Sequence, residues 1–172
     1  ITNTDRGAAT ALAESPRSAD IVYVGADDGA LWATHDGGAN WFDCFAVKPA
    51  AADKADGGAQ GGPSDGGDGD AKPISELVPG PRWVSELVAS AHDAKRAFVT
   101  LDGHRSDDDA TYLLMTSDGG ETWSSLTATL PAGAGSARTI AEDPVNEDLL
   151  YLGTEFQAFV SLDRGANWTR FN

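Results

Sequence analysis

Acidic side chains at loop positions are the first residues in this chain that could do chemistry. Asp27, Asp102, Asp107 and Glu155 stand at or beyond the ends of short apolar runs. Two such carboxylates facing each other across a cleft, roughly 5 to 9 Å apart, are what cleavage of a glycosidic bond requires. Asp102, Asp107 and Glu155 are the candidate catalytic acids. His104 lies in Gly103-His104-Arg105-Ser106-Asp107-Asp108-Asp109, where an imidazole among carboxylates could move a proton or bind a divalent cation. The bland alternative is a solvated polar loop in which Arg105 pairs with an aspartate. Binding-type residues share these stretches: Asp27, Asp28, Arg82, Trp83, His104, Arg105, Arg138 and Phe156. Trp32 and Trp83 are the exposed aromatic candidates. Guanidinium forks suit a ligand carboxylate. No Ser-His-Asp signature, phosphate-cradling glycine loop or zinc-type His/Cys spacing is present.

These candidates need a frame to bring them together, and the frame is a repeated turn. Thr34-His35-Asp36-Gly37-Gly38-Ala39-Asn40-Trp41 recurs as Thr116-Ser117-Asp118-Gly119-Gly120-Glu121-Thr122-Trp123 and as Ser161-Leu162-Asp163-Arg164-Gly165-Ala166-Asn167-Trp168. The shared pattern is Ser/Thr-x-Asp-x-Gly-x-Thr/Asn-Trp. The aspartate can accept hydrogen bonds from nearby N–H groups, the glycine can take positive φ, and the tryptophan can cover the returning strand. Asp36, Gly38, Trp41, Asp118, Gly120, Trp123, Asp163, Gly165 and Trp168 are therefore read as structural. Aligning the chain on these turns gives three units of four short β-favouring runs. They cover 8–14, 21–25, 30–34 and 41–45; then 82–89, 96–101, 111–116 and 123–127; then 137–142, 149–153, 158–161 and 168–171. The first connection in each unit is turn chemistry, as in Ser15-Pro16 and Asp143-Pro144, and it makes His92 an exposed turn residue.

Four antiparallel strands repeated about every 45 residues are the pattern of propeller blades. The expected fold is all-β, a β-propeller segment of three four-stranded antiparallel blades forming part of a larger propeller. Blade 1 spans 1–45, blade 2 spans 79–130 and blade 3 spans 131–172. Thr34 and Thr116 are 82 positions apart, against 45 from Thr116 to Ser161. The excess falls mainly in 46–78, a stretch of glycine, alanine and aspartate expected to be a disordered inter-blade insertion, because it holds too little apolar surface to offset its ordering entropy.

Composition narrows the partners. The net charge is −15 over 172 residues, which argues against nucleic acid and anionic membrane surfaces. No apolar run is long enough to span a bilayer. Cys44 is the single cysteine, read as a small apolar strand residue. No metal or other cofactor is expected apart from the divalent cation that the 103–109 loop could take.

The turn motif resembles the Asp-box, or BNR, repeat of sialidases, sortilin-type (VPS10) receptors, xyloglucanase-type glycosidases and photosystem-assembly propellers. The whole chain outside 46–78 is most similar to bacterial propellers of the "glycosyl hydrolase, BNR repeat" or sortilin-like kind. Gly80-Pro81-Arg82-Trp83-Val84-Ser85 and Leu150-Tyr151-Leu152-Gly153-Thr154-Glu155 carry that likeness as well. The resemblance implies that the Asp turns lie on the face away from the usual ligand site, and that Asp27-Asp28, the 102–109 loop, Glu155-Phe156 and the long inter-blade insertion gather on the other. Sialidase-like propellers hold a substrate carboxylate with an arginine triad. Arg6, Arg82 and Arg138 stand at different offsets from their turns, and no Arg-Ile-Pro motif occurs, so that activity does not carry over. The expectation is a non-catalytic scaffold binding a protein, peptide or glycan, with a glycoside hydrolase as the alternative. Three blades do not close a ring, so further blades of a parent chain or a second copy are expected as partners. An extracellular or periplasmic location is expected.

Overall fold

The computed structural model describes residues 2–46 and 71–171. The described strands form three four-stranded antiparallel sheets, each in sequential order. The first holds β1 (Ala9–Ser15), β2 (Ser18–Ala26), β3 (Leu31–Thr34) and β4 (Phe42–Asp43). The second holds β5 (Trp83–Ala89), β6 (Ala97–Asp102), β7 (Tyr112–Thr116) and β8 (Ser124–Ser125). The third holds β9 (Ala137–Glu142), β10 (Leu150–Thr154), β11 (Ala158–Ser161) and β12 (Thr169–Phe171). The sheets stack face to face as blades, and the chain is an all-β propeller segment.

Side-chain alternation explains the stacking. Successive residues of a strand point to opposite faces. On the middle sheet Val99 and Leu101 join Tyr23, Leu31 and Ala33 of the first sheet in one buried cluster. Phe98, Leu113 and Met115 point the other way and join Ile140, Leu152 and Phe159 of the third sheet in another. A sheet covered on both faces reads as a continuous apolar run, and β6 is buried along its whole length. The first strand of each sheet lies against the next along the inner side. Thr10 Oγ1 donates to the Val84 carbonyl at 2.9 Å, Ser85 Oγ to the Ala137 carbonyl at 3.0 Å, and the Ile140 N–H to Glu86 at 3.1 Å.

The three repeated turns join the third and fourth strands and share one construction. Asp36 Oδ1 accepts the Thr34 hydroxyl and the Asn40 N–H, both at 2.8 Å, and Oδ2 accepts the Asn40 amide at 2.7 Å. Asp118 accepts the Thr116 and Thr122 hydroxyls at 2.8 and 2.6 Å and the Glu121 and Thr122 N–H groups at 3.0 Å. Asp163 repeats the set with Ser161 and Asn167. These bonds favour the ionised carboxylate and hold Asp36 down at about 2. Gly37, Gly38, Gly119, Gly120 and Gly165 have positive φ, and Arg164 takes the corresponding left-handed position at φ 57°. Each turn also hydrogen-bonds a residue near the start of the second strand of its own sheet: Gly37 N–H to Asp20 O, Gly119 N–H to Lys95 O and Arg164 N–H to Asp148 O, at 3.0, 3.0 and 2.8 Å.

Three expectations change. Residues 47–70 of the expected insertion lie outside the described residues, but 71–78 do not behave as an insertion. Lys72 and Trp123 exchange two backbone hydrogen bonds at 2.8 Å. The short helix α1 (Ile74–Leu77) follows, with Ile74 and Val78 buried beside Trp123. Two apolar residues four apart on a helical turn share a face, which is enough to seal the end of the first seam. The fourth strands β4 and β8 are shorter than expected, because Trp41 and Trp123 stay with the turn and donate Nε1–H to the Gly38 and Gly120 carbonyls at 3.1 Å. Cys44 accordingly sits just past β4 and not in it; burial pushes its thiol up. His92 is half-buried, and its Nε2 lies 2.8 Å from the Asp143 carbonyl on the next sheet, so it clamps a seam.

Candidate functional site

The chain has two unlike ends. At one end lie the Asp turns and the connections between first and second strands, and here the sheets are fastened to each other. Arg17 Nη1 donates to the Ala91 carbonyl at 3.2 Å, Tyr23 Oη to the Lys95 carbonyl at 3.2 Å, and His35 Nε2 lies 2.9 Å from the Gly119 carbonyl. Glu147 bridges Arg96 of the second sheet, at 2.9 Å, and Arg164 of the third, at 3.1 Å.

At the other end lie the loops between second and third strands, and the candidate residues gather there along the two seams. β6 ends at Asp102, and a single 3-10 turn, His104–Ser106, begins two residues later. Asp102 Oδ1 accepts the His104 N–H at 2.8 Å, fixing the start of the loop. Asp102 Oδ2 pairs with Arg138, the second residue of β9, across the seam to the third sheet. Arg138 Nη2 also stands 3.8 Å from Glu155. The result is a carboxylate–guanidinium–carboxylate row in which Asp102 is buried and Glu155 partly exposed.

The loop continues through Asp107, an exposed residue at φ 56°, to Asp108, which anchors its return. Asp108 Oδ2 accepts Arg82 Nε and Nη2 at 3.1 and 3.0 Å and the Tyr112 hydroxyl at 2.9 Å. Oδ1 accepts the Ala110 N–H at 3.1 Å. Burial alone would raise this carboxyl, but the Ala110, Tyr112 and Arg82 bonds outweigh it and hold it below the ordinary range. Between these anchors the loop crosses the first seam. Arg105 lies 4.4 Å over the centre of the Trp83 ring, a cation–π arrangement, and its Nη1 is 3.9 Å from Asp27 Oδ2. Asp27 Oδ1 holds the Ala8 N–H at 2.7 Å. Asp28 turns back to the Thr4 N–H and hydroxyl, at 2.7 and 3.1 Å. Phe156 is exposed beside Gly135.

The structure thus brings Asp27, Trp83 and Arg105 together over one seam, and Asp102, Arg138 and Glu155 over the other, with His104 between them. His104 Nδ1 and Asp109 are 3.6 Å apart, both exposed. It does not bring Arg82 to an open site, because that guanidinium is spent on Asp108. Arg6 lies in the turn before β1. Trp83 is not open aromatic surface, since Arg105 covers it and its Nε1 is buried; Trp32 is half-buried too. Sequence reasoning missed Asp108 and Tyr112 as the pair that shapes the loop. Their four-residue spacing and the Arg82 upstream are the only signal. Among the described residues no three His, Cys, Asp or Glu side chains gather in a way that could hold a metal ion. Among the described residues no helix is long and apolar enough to cross a membrane.

In chemical terms, Asp102 has both oxygens engaged and a guanidinium beside it, which suits a seam lock better than a proton carrier. The groups that remain presented are the Arg105 edge, His104, Asp107, Asp109, Glu155 and Phe156: mixed charge with aromatic surface.

No protein-family profile matches the chain, and no curated protein does. Solved structures do. YCF48 from Cyanidioschyzon merolae superposes with a TM-score of 0.57 at 15% identity, over 99% of this chain and 38% of that one. YCF48 bound to D1 peptide gives 0.57 at 16%, over 99% and 42%. The GH74 xyloglucanase from Xanthomonas campestris gives 0.57 at 18%, over 94% and 23%. The chain spans less than half the length of each. At these identities the likeness shows the β-propeller fold.

Proposed function

We propose that this chain is a non-catalytic propeller segment whose loop-rich end binds an extended peptide or a protein segment, on a scaffold of the Asp-box type. The observation that carries the reading is the fate of the acids at this end, the candidate Asp102 and the loop anchor Asp108. Asp102 and Asp108 are spent on Arg138 and Arg82 inside the scaffold, whereas the Arg105 guanidinium, stacked on Trp83, is presented at the rim. A planar cation supported by an aromatic ring is a low-entropy contact for a peptide carboxylate or carbonyl. The structural neighbour bound to D1 peptide supports this use of the fold, though fold alone does not fix function.

The alternative is a glycoside hydrolase acting on polysaccharide, with GH74 enzymes among the structural neighbours. It needs two working carboxylates across a cleft. With Asp102 locked, Asp107 and Glu155 would have to supply them.

The test is a fluorescence-polarisation screen of the purified chain against acidic and neutral peptides and xylo- and glucan oligosaccharides, run beside a reducing-end assay on the corresponding polysaccharides. Peptide binding that weakens about tenfold in Arg105→Ala, the cost typical of an interface anchor, and persists in Asp107→Asn/Glu155→Gln supports the proposal. Polysaccharide turnover abolished by Asp107→Asn/Glu155→Gln with folding intact would replace it with the enzyme reading.

A further inference from the structure

A cavity of about 220 Å³ opens at the loop-rich end, lined by none of the residues that meet over the two seams. Asp109, Ala110 and Thr111, where the 103–111 loop runs into β7, form one wall. Thr127 and residues 130–134, in the link from β8 to β9, form the other. The Thr111 hydroxyl ties the walls together by donating to the Gly135 carbonyl at 2.6 Å. The Thr154 hydroxyl ties the link to the third sheet by donating to the Ala134 carbonyl at 2.5 Å. The space is several times the ~30 Å³ share of one water molecule. It is smaller than the roughly 300 to 1,000 Å³ of pockets that enclose a whole small ligand. One long side chain fits such a volume.

The hydrogen-bonding character of the walls is one-sided. Their donors are turned inward. The Ala110 N–H is spent on Asp108 Oδ1 at 3.1 Å, the Leu130 N–H on the Thr127 carbonyl at 3.1 Å and the Ala134 N–H on the Pro131 carbonyl at 3.2 Å. Pro131 has no N–H to offer. A hydroxyl has one hydrogen and two lone pairs, and Thr111 has given its hydrogen to Gly135, so its oxygen is left as an acceptor. Asp109 accepts only when ionised; it is 80% exposed, with His104 Nδ1 3.6 Å away. Acceptors without donors call for a cationic donor, and the chain's net charge of −15 favours its approach. Leu130 and Pro131 add aliphatic surface beside these oxygens. A metal ion is the poorer occupant, since among the described residues no three His, Cys, Asp or Glu side chains gather to ligate one.

We infer that this cavity takes the side chain of a lysine in the bound peptide, with the ammonium on Asp109 and Thr111 Oγ1 and the methylene stem along Leu130 and Pro131. A compact charge with three donors on a flexible four-carbon stem is what that lining complements. Arg105 and Asp109 belong to the same loop, so the peptide that meets the guanidinium at the rim also passes the cavity. The source of the lysine rests on the peptide-binding reading; the preference of the cavity for an ammonium does not.

The experiment has two arms on the 172-residue chain. In the first, n-butylammonium chloride is titrated while amide nitrogen–proton NMR spectra are recorded, beside 1-butanol and sodium butyrate at equal ionic strength. Saturable shifts at Thr111, Leu130 and Ala134 are expected with butylammonium alone. Asp109→Asn, at an exposed position, is expected to weaken them about tenfold or more, the scale of a lost charge-assisted hydrogen bond. Glu121→Gln, which removes the same charge at the Asp-turn end, is expected to leave them unchanged. In the second arm, fluorescence polarisation compares labelled six-residue peptides holding one lysine with their Nε-acetyl forms. Acetylation is expected to weaken binding about tenfold in the wild type and to have no effect in Asp109→Asn. Butylammonium shifts that fail to saturate, or that survive Asp109→Asn, overturn the inference. Peptides that bind equally well when acetylated overturn it too, and leave the peptide-binding reading standing. Butylammonium binding with no peptide retained overturns the peptide-binding reading and the lysine as occupant, and leaves an ammonium site.

Discussion

Asp102, the last residue of β6, and Arg138, the second residue of β9, form an ion pair that ties the second sheet to the third. They are 36 positions apart, and the pair forms where the two strands meet along the seam. Asp102 is buried, Arg138 is about one third exposed, and the same aspartate fixes the start of the 103–111 loop through the His104 N–H.

Asp102→Ala is therefore expected to destabilise the chain by about 2–4 kcal/mol, because it strands a guanidinium in the seam and a loop N–H without its acceptor. Arg138→Ala at the partner position is expected to cost at least as much, since the buried member is then left unpaired. Urea denaturation followed by tryptophan fluorescence measures both. A loss below a few tenths for each would show that the pair does not hold the seam.

The three turn aspartates should rank by burial. Asp118 is half-buried beneath the preceding blade and accepts bonds from two hydroxyls and two N–H groups, so Asp118→Ala is expected to cost about 2–3 kcal/mol. Asp36→Ala and Asp163→Ala, at exposed turns, should lose less. Melting temperatures of the three variants check the order; equal losses would mean that burial of the turn is not what sets its worth.

Acid should weaken the fold in a defined window. Asp36 is held down at about 2 by the Asn40 N–H and side-chain amide, against an ordinary 3.8. Asp118, whose burial would raise it, and Asp163 are also held below the ordinary value by their turn bonds. A carboxyl whose pKa is lower folded than unfolded adds stability above the unfolded value, and that contribution is lost as the folded group protonates. The urea midpoint is thus expected to vary little with these groups above about pH 5 and to fall between about pH 4 and pH 2. Asp36→Asn should flatten part of that fall. A midpoint independent of pH through this window would contradict the assignment.

Two glycines with the same backbone sign test the seam separately from the turn. Gly37 has φ 68° with only Asp20 Oδ1 near a would-be Cβ, at 3.7 Å. Gly119 has φ 92°, and a Cβ there would press on His35. Gly37→Ala is expected to cost the left-handed penalty alone, about 1–2 kcal/mol. Gly119→Ala should cost more, because the His35 ring must also leave its carbonyl. A His35→Ala background removes the difference if this account holds.

The blades are legible in the sequence because their determinants are local. Each turn carries its aspartate, its acceptor pattern and its tryptophan within eight residues, and β-favouring runs flank it. Ile74 and Val78 are not legible, since two apolar residues after a glycine-rich stretch carry no periodicity of their own. The loop-rich end was visible as a set of positions but not as a set of pairs. Arg82 with Asp108, Arg105 with Trp83 and Arg138 with Asp102 join residues 22 to 36 apart. Their partners are chosen by loop conformations that follow no repeat. His92 was misjudged for the same reason: its partner, the Asp143 carbonyl, belongs to the neighbouring sheet.

The hydrogen bonds from Gly37, Gly119 and Arg164 to residues near the start of β2, β6 and β10 fasten each turn to its own sheet at one rim of the stack. The link between β2 and β3, at the opposite rim, takes no part in those bonds, so its length is not set by them. Replacing the short link between β2 and β3 with a graft the size of the β6–β7 loop should leave the stack standing, which makes this segment a carrier for chosen peptides.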